Sequence, residues 1–353
     1  MDFLFRADAG TNMGIGHVMR CLTLADMATS RGHRCRFVCR EQPGHMIDAI
    51  DSRGYSVAVL ARKISGPEWL GASEDEDAAE TLALLAQTPS HWVVTDNYAI
   101  GAIWERKFRQ RGAKVLAIDD LADRSHDCNI LLDQTLGRAA TDYASWVPAD
   151  ALVLAGASMA LLRPSFAAAR ANVRPRVSHT VSKLLISLGG SDAANLTSVV
   201  IEAINRVQWP SPIAVDVVLG GTNPWYDVVA ARAARSSCPM QVHVNLADMV
   251  SPMIAADLAI GTAGTTSWER CCLGLPSIMV VAADNQRKIA QALAGAGAAI
   301  TLDVSDGLTE DLVDELTDLA NQPSRLLAMS ERAATLVDGL GCERVLAAME
   351  NMS

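Results

Sequence analysis

A chain of 353 residues is long enough for two ordinary domains, and its 50% hydrophobic content can fill a large core without disulfides. Its formal net charge of −10 argues against nucleic acid as a partner and against a basic membrane-docking face. No apolar run reaches transmembrane length and no signal peptide is visible, so stable membrane insertion is not expected. Eight cysteines form no Cys-x-x-Cys pair and none has metal-ligand spacing with a histidine, which predicts reduced, mostly buried thiols in a cytoplasmic protein.

In the first half, apolar strands at Phe3–Arg6, Arg36–Cys39, Val57–Leu60, Trp92–Thr95, Lys114–Ile118 and Ile130–Leu132 alternate with helical patterns. The first strand runs into Arg6-Ala-Asp-Ala-Gly-Thr-Asn-Met-Gly-Ile-Gly-His17, ahead of a helix from Val18 to about Ser30. This is not a dinucleotide fingerprint. His17 replaces a turn residue, and no carboxylate closes the second strand at Cys39-Arg40, so a nicotinamide site is rejected. What remains is a glycine-rich loop, ending in Gly16, that presents His17 at a helix N-terminus. The positive end of a helix disfavours imidazolium, which suits a ring that accepts a proton; a capping or packing histidine is the alternative. His33, His45, His91, His126, His179 and His243 have no such setting and are expected at the surface or in loops.

Ser73-Glu-Asp-Glu-Asp77 reads as a solvated helix start favoured by the dipole. Thr95-Asp-Asn-Tyr98 closes a strand, with Tyr98 placed to meet a sugar ring or an acetamido group. Asp96 in the same turn either faces the site or caps a helix near Ile100. Asp119 and Asp120 either orient a catalytic group or tie down their own loop, the loop role being favoured for Asp120 and Asp123.

The second half repeats the plan, with strands at Leu184–Leu188, Ile213–Leu219, Gln241–Val244, Leu258–Ile260 and Ser277–Val281, and helices from about Leu308 to the end. Such alternation implies an α/β fold with two doubly wound, Rossmann-like parallel-sheet domains facing across a cleft. The expected division is an N-terminal domain at 1–165, a nucleotide-binding domain at 176–340 and a helical tail at 341–353, with prolines interrupting the pattern between Leu162 and His179. Gly261-Thr-Ala-Gly-Thr-Thr-Ser-Trp-Glu269 follows a buried strand and opens a short helix. Gly261 and Gly264 give a sharp, unobstructed turn, while Thr265 and Thr266 suit an N-cap, together an expected phosphate site. Glu269, one turn on, either accepts hydrogen bonds from a ribose diol or completes a capping box with Thr266. Leu188-Gly-Gly-Ser-Asp192 repeats the strand–glycine–helix design, with Asn195 on the first turn, as a second amide cluster for a diphosphate. Asp284-Asn-Gln286 begins another helix; Asp284 reads as its N-cap, leaving Asn285 and Gln286 available to a ligand.

Gly14-Ile-Gly-His-Val-Met-Arg20, Ile118-Asp-Asp-Leu-Ala-Asp-Arg124, Leu188-Gly-Gly-Ser-Asp192, Trp268-Glu-Arg-Cys-Cys-Leu-Gly-Leu-Pro276 and Ala283-Asp-Asn-Gln286 occur in order along most of the chain. Together they resemble the UDP-sugar hydrolases of the pseudaminic acid pathway, which act on UDP-2,4-diacetamido-2,4,6-trideoxy-β-L-altropyranose. That family is similar to the GT-B glycosyltransferases, above all the enzyme that adds N-acetylglucosamine to lipid I. The resemblance implies water attack at the anomeric carbon, inversion, and release of UDP and the free sugar. It implies His17 as general base, Glu269 as ribose ligand, and Gly190, Ser191, Thr265 and Thr266 as the diphosphate cradle. Arg163 would reach the diphosphate, Asn285 the sugar or β-phosphate, and the Asn245–Met249 loop would read uracil. No cofactor and no metal are expected, and the UDP-sugar would be the partner of a monomeric enzyme. A GT-B transferase, a non-catalytic UDP-sugar-binding protein and a sugar-nucleotide epimerase are the rival readings.

Overall fold

Apolar runs such as Trp92-Val-Val-Thr95 and Ser277-Ile-Met-Val-Val281 suit strands covered on both faces, the usual state of a parallel sheet. A computed structural model describes residues 1–353 except 12, 85–89, 174–180, 191, 222, 306 and 353, and excepting the side chain of residue 285. The first seven strands are β1 (Asp2–Ala7), β2 (Arg34–Arg40), β3 (Ser56–Leu60), β4 (Trp92–Asp96), β5 (Lys114–Ile118), β6 (Ile130–Asp133) and β7 (Leu152–Ala155). They form one sheet in the order β3-β2-β1-β4-β5-β6-β7, parallel throughout. The next six are β8 (Lys183–Ser187), β9 (Ala214–Leu219), β10 (Met240–Val244), β11 (Leu258–Thr262), β12 (Ser277–Val281) and β13 (Ala299–Asp303). Their sheet runs β10-β9-β8-β11-β12-β13 and is also parallel. Strands β7 and β13 were not expected; both lie at a sheet edge and are only partly buried.

Both sheets reverse their winding in the middle, between β1 and β4 in the first and between β8 and β11 in the second. The loops leaving the carboxyl ends of those central strands diverge there, and such points are where open α/β sheets take their ligands.

The chain divides into two units, Met1–Arg163 with Leu340–Ser353, and Pro164–Gly339. One face of the first sheet packs Phe3, Phe5, Leu22 and Trp92 with Val345, Leu346 and Met349 from the last helix, Gly341–Asn351. That helix, set apart at sequence level as a tail, lies along helix Gly16–Ser30, where Cys342 donates to the Thr23 carbonyl. The other face packs Leu4, Val93, Trp104, Phe108 and Leu131. The second unit closes around Leu184, Ile186, Val200, Ile260, Leu312 and Leu316.

The acidic run at 73–77 is not simply a solvated helix start. Asp77 is fully buried and is held by Arg6 Nε and Nη2 at 3.0 and 2.8 Å, Arg40 Nη2 at 2.7 Å and Trp104 Nε1 at 2.9 Å. Glu74 Oε2 accepts from the amides of Gly101 and Trp104, so it closes the start of helix Ala102–Arg109. Ser73 and Asp75 keep the expected contact with solvent, whereas Asp77 does not, because β1 and β2 bring two arginines to the buried side of this helix.

Candidate active site

The loop after β1 closes on itself before the first helix begins. Gly10 and Gly14 exchange backbone hydrogen bonds of 3.3 and 2.8 Å, and Gly14 has φ +75°, a left-handed conformation that favours glycine. Gly16 then starts helix Gly16–Ser30, and His17 follows with 8% of its surface exposed. Its neighbour across the sheet is the end of β4, since Ala7 pairs with Asp96.

Asp96 is fully buried and is the hub of the site. Its Oδ1 takes His17 Nδ1 at 2.6 Å and Arg20 Nη2 at 2.6 Å, while Oδ2 takes Arg20 Nε at 2.5 Å. Burial opposes ionisation of Asp96, but the Arg20 guanidinium and the His17 contact outweigh it and hold the carboxyl well below the usual range. A carboxylate flanked by a guanidinium can only accept, so His17 Nδ1 carries the proton in that bond. Nε2 is then the acceptor nitrogen, and among the described residues it has no hydrogen-bond partner. Arg20 also reaches Asp120, at 3.4 Å.

Two aromatic rings enclose the imidazole edge-on, Tyr98 with centroids 4.9 Å away and Trp69 at 5.7 Å. Burial, then the Asp120 carboxylate, pushes the Tyr98 phenol above its ordinary range, so its hydroxyl stays a donor. Trp69 comes from the loop between β3 and helix Glu74–Leu84, which is pinned where Asn97 Nδ2 donates to the Trp69 carbonyl at 2.8 Å. A cavity of about 460 Å³ opens beside it, lined by Met13, Gln42, Arg62, Ile64 and Trp69 among others.

Several sequence-level assignments change here. Asp96 does not cap a helix, since it is consumed by His17 and Arg20 and its place at the helix is taken by Glu74. Asp119, rather than Asp120, ties down its own loop, accepting from the amides of Leu121 and Ala122 and from Arg124. Asp120 instead faces Arg20. His126 lies in a loop but is buried, bonded to Glu105 at 2.8 Å. Arg20 and Trp69 were overlooked. Arg20 was legible, since it stands one turn from His17 on the same helix face, whereas nothing in the spacing of the 61–73 segment marks Trp69.

In the second unit, β8 and β11 are paired neighbours, so the loops carrying Gly190 and Gly264–Thr266 leave adjacent strand ends. Gly264 has open space where a side chain would be, and helix Thr266–Cys272 starts without a side-chain cap hydrogen bond from Thr265. Glu269 lies in its first turn. Gly261, however, does not turn the chain. It sits inside β11, and a Cβ there would come within 2.4 Å of Arg270 Nη1, so its small size makes room for an arginine.

The start of helix Leu196–Arg206 is also not open to a phosphate, because Asp192 takes the amides of Leu196 and Thr197 at 2.8 and 3.0 Å. Replacing Asp192 by alanine is expected to destabilise the second unit by about 1–2 kcal/mol, read from its urea midpoint. Gly190 packs its carbonyl against Gly220, and Ser191 lies outside the described residues. Asn195 begins the same helix with φ +54°, and its Oδ1 is buried without a partner among the described residues.

Gln286 Oε1 accepts from the Ala282 amide at 3.0 Å, which ties it to its own loop. Asp284 is not an N-cap; Ala283 holds that position and the aspartate side chain is solvent-exposed. The side chain of Asn285 is outside the described set. Arg163 is the last residue of the first unit, and the loop at 245–249 follows β10 at the surface. His17, Tyr98 and Gly16 thus cluster in one unit, and Gly190, Gly264, Thr265, Thr266, Glu269 and Gln286 gather at strand ends of the other.

All eight cysteines are free. Among the described residues no helix is long and apolar enough to cross a membrane, and no group of three or more His, Cys, Asp or Glu is placed to hold a metal.

Two parallel-sheet units wound in this way define the GT-B architecture, and the fold aligns with MurG of Acinetobacter baumannii at a TM-score of 0.72, over 99% of both chains and 18% identity. Residues 184–340, within the second half of the chain, match the glycosyltransferase family 28 C-terminal domain. It is 26% identical over 226 residues to the UDP-2,4-diacetamido-2,4,6-trideoxy-beta-L-altropyranose hydrolase of Campylobacter jejuni, covering 64% of this chain and 71% of that one. It is also 26% identical over 212 residues to the spore coat polysaccharide biosynthesis protein SpsG of Bacillus subtilis, 59% of this chain and 60% of the relative.

Proposed function

We propose that this protein hydrolyses a UDP-linked 2,4-diacetamido sugar, with UDP-2,4-diacetamido-2,4,6-trideoxy-β-L-altropyranose as the preferred substrate, to UDP and the free sugar. The observation that carries the reading is the bond from His17 Nδ1 to a buried, ionised Asp96, which leaves Nε2 to take a proton. The similarity to the Campylobacter jejuni hydrolase supports the choice of substrate. In the proposed step Nε2 removes a proton from water as its oxygen attacks the anomeric carbon from the face opposite the leaving group. The C1–O bond breaks, its electron pair leaves on the β-phosphate, and the sugar is released inverted. Ordinary glycosidases need a second carboxyl group as acid, because a sugar alkoxide is a poor leaving group. UDP leaves as a stable anion, so a single base and groups that hold the departing charge suffice. General-base assistance of this kind supplies about 10²–10⁴-fold. Gly190, Ser191, Gly264, Thr265 and Thr266 are assigned to the diphosphate, Glu269 to the ribose, and Gly16, Tyr98, Arg163, Asn285 and Gln286 to the remaining substrate contacts.

A second reading, transfer of the sugar to an acceptor other than water, is favoured by the match to a glycosyltransferase domain. Incubation with a panel of UDP-2,4-diacetamido sugars, with no acceptor and no divalent ion, separates the two. NMR of the anomeric product is expected to show inverted free sugar and fast UDP release for the L-altro isomer. Intact substrate until an acceptor is supplied would establish the transferase, and equal rates across isomers would remove the substrate assignment.

A further inference from the structure

Arg270 is 1% exposed, at the end of the short helix Thr266–Cys272. The other fully buried arginines have carboxylate partners: Arg6 is paired with Asp8 and Asp77, and Arg40 with Asp77. Arg270 has none within ion-pair distance among the described residues. Its Nη2 donates to the Thr262 carbonyl at 2.8 Å and to Ser267 Oγ at 3.1 Å, and its Nε is buried without a partner. Burial lowers its pKa to about 10, which leaves it charged at neutral pH. A buried cation without an ion-pair partner, eased only by the longer-range pull of Cys271 and Glu269, is costly, and replacing it with an apolar side chain would ordinarily stabilise a core.

Its location offers a reason to keep it. Nη1 lies against Gly261, and the Ser187 carbonyl is 2.7 Å from the point where a Cβ on that glycine would stand. The guanidinium therefore sits at the meeting of the β8 and β11 carboxyl ends, where the second sheet reverses its winding. By holding the Thr262 carbonyl it also anchors the turn through Gly264 and Thr265.

We infer that Arg270 is a positioning residue for the nucleotide, fixing the β11 turn and supplying from beneath it the positive charge that a diphosphate requires. The inference rests on the proposed function only in taking the second unit to bind UDP. A fixed, desolvated charge of this kind needs no reorganisation when the anion arrives or when charge grows on the leaving group.

The test compares affinities of the whole protein for UDP and uridine by calorimetry. Arg270→Met should weaken UDP binding by about 10–100-fold and leave uridine binding unchanged, while Arg270→Lys should retain most of the UDP affinity. On the unsubstituted protein, the Arg270 Nε–H resonance, assigned by its loss in Arg270→Lys, should shift with UDP and not with uridine. This second measurement stands even if the methionine variant misfolds. Equal loss of UDP and uridine binding, UDP affinity unchanged in Arg270→Met, or a resonance indifferent to UDP would each overturn the inference while leaving the nucleotide assignment in place. An unsubstituted protein with no affinity for UDP would overturn both.

Discussion

Replacing Asp96 by asparagine is expected to lower turnover on the order of 10⁴-fold, as much as removing the imbalance between the two nitrogens of the ring can cost. Asp96 Oδ1 receives His17 Nδ1 and Arg20 Nη2, and Oδ2 receives Arg20 Nε, so every position around the carboxylate is a donor. Asparagine offers one acceptor and one donor. If its oxygen serves the histidine, its amide group meets Arg20 Nε donor to donor. If the amide is turned toward the histidine instead, Nδ1 must become the acceptor and the ring proton moves to Nε2, where it blocks catalysis. His17→Ala should lose about 10²–10⁴-fold. The double substitution should lose no more than the worse single one, because both residues act as a unit. These values come from initial rates of UDP release. Additive losses would show that Asp96 and His17 work independently.

Asp77→Ala is expected to destabilise the first unit by about 3–5 kcal/mol, since the buried Arg6 and Arg40 lose the carboxylate they share and keep only Asp8 and Glu80 as ion-pair partners. Urea unfolding, followed by hydrogen exchange at residues of β1 and β2, is the appropriate measurement. Replacing Asp77, Arg6 and Arg40 together by apolar residues of similar volume should cost less than the single change. The acid limb carries the same signature. Burial acts to raise the Asp77 pKa, but Arg6, Arg40 and Trp104 overcome it and lower the value from 3.8 to about 2. A depressed carboxylate contributes fully above its unfolded pKa and loses that contribution as pH falls through the folded one. The Asp77 part of the stability should therefore be intact above about pH 4 and disappear toward pH 2. A stability loss in this window that is the same with and without Asp77 would contradict this.

The alternation of strands and helices was legible because parallel strands are covered on both faces and write their burial into unbroken apolar runs, as in Trp92-Val-Val-Thr95. Strands β7 and β13, both at a sheet edge, were missed although β7 is wholly apolar, so a short apolar run alone did not mark it as a strand. Charged residues were harder. The same five letters at 73–77 describe a wet helix start or a buried hub, and what decides is Arg6 and Arg40, 71 and 37 positions from Asp77. Asp96 posed the same difficulty, for it was judged by its sequence neighbours while its partners, His17 and Arg20, come from a distant helix. His17 stood out because its glycine loop made an unusual place for an imidazole. Gly261 drew attention for a freedom it does not use.

The side chains of Val345, Leu346 and Met349 belong to the same apolar cluster as Val18 and Leu22 on the histidine-bearing helix. During synthesis that helix is made before the second unit, yet the surface that covers it is made after the entire second unit. The opening segment must therefore wait with part of its oily face uncovered while some three hundred residues are added. A chain cut after residue 339 would carry every residue of the second unit and a first unit still short of its closing piece.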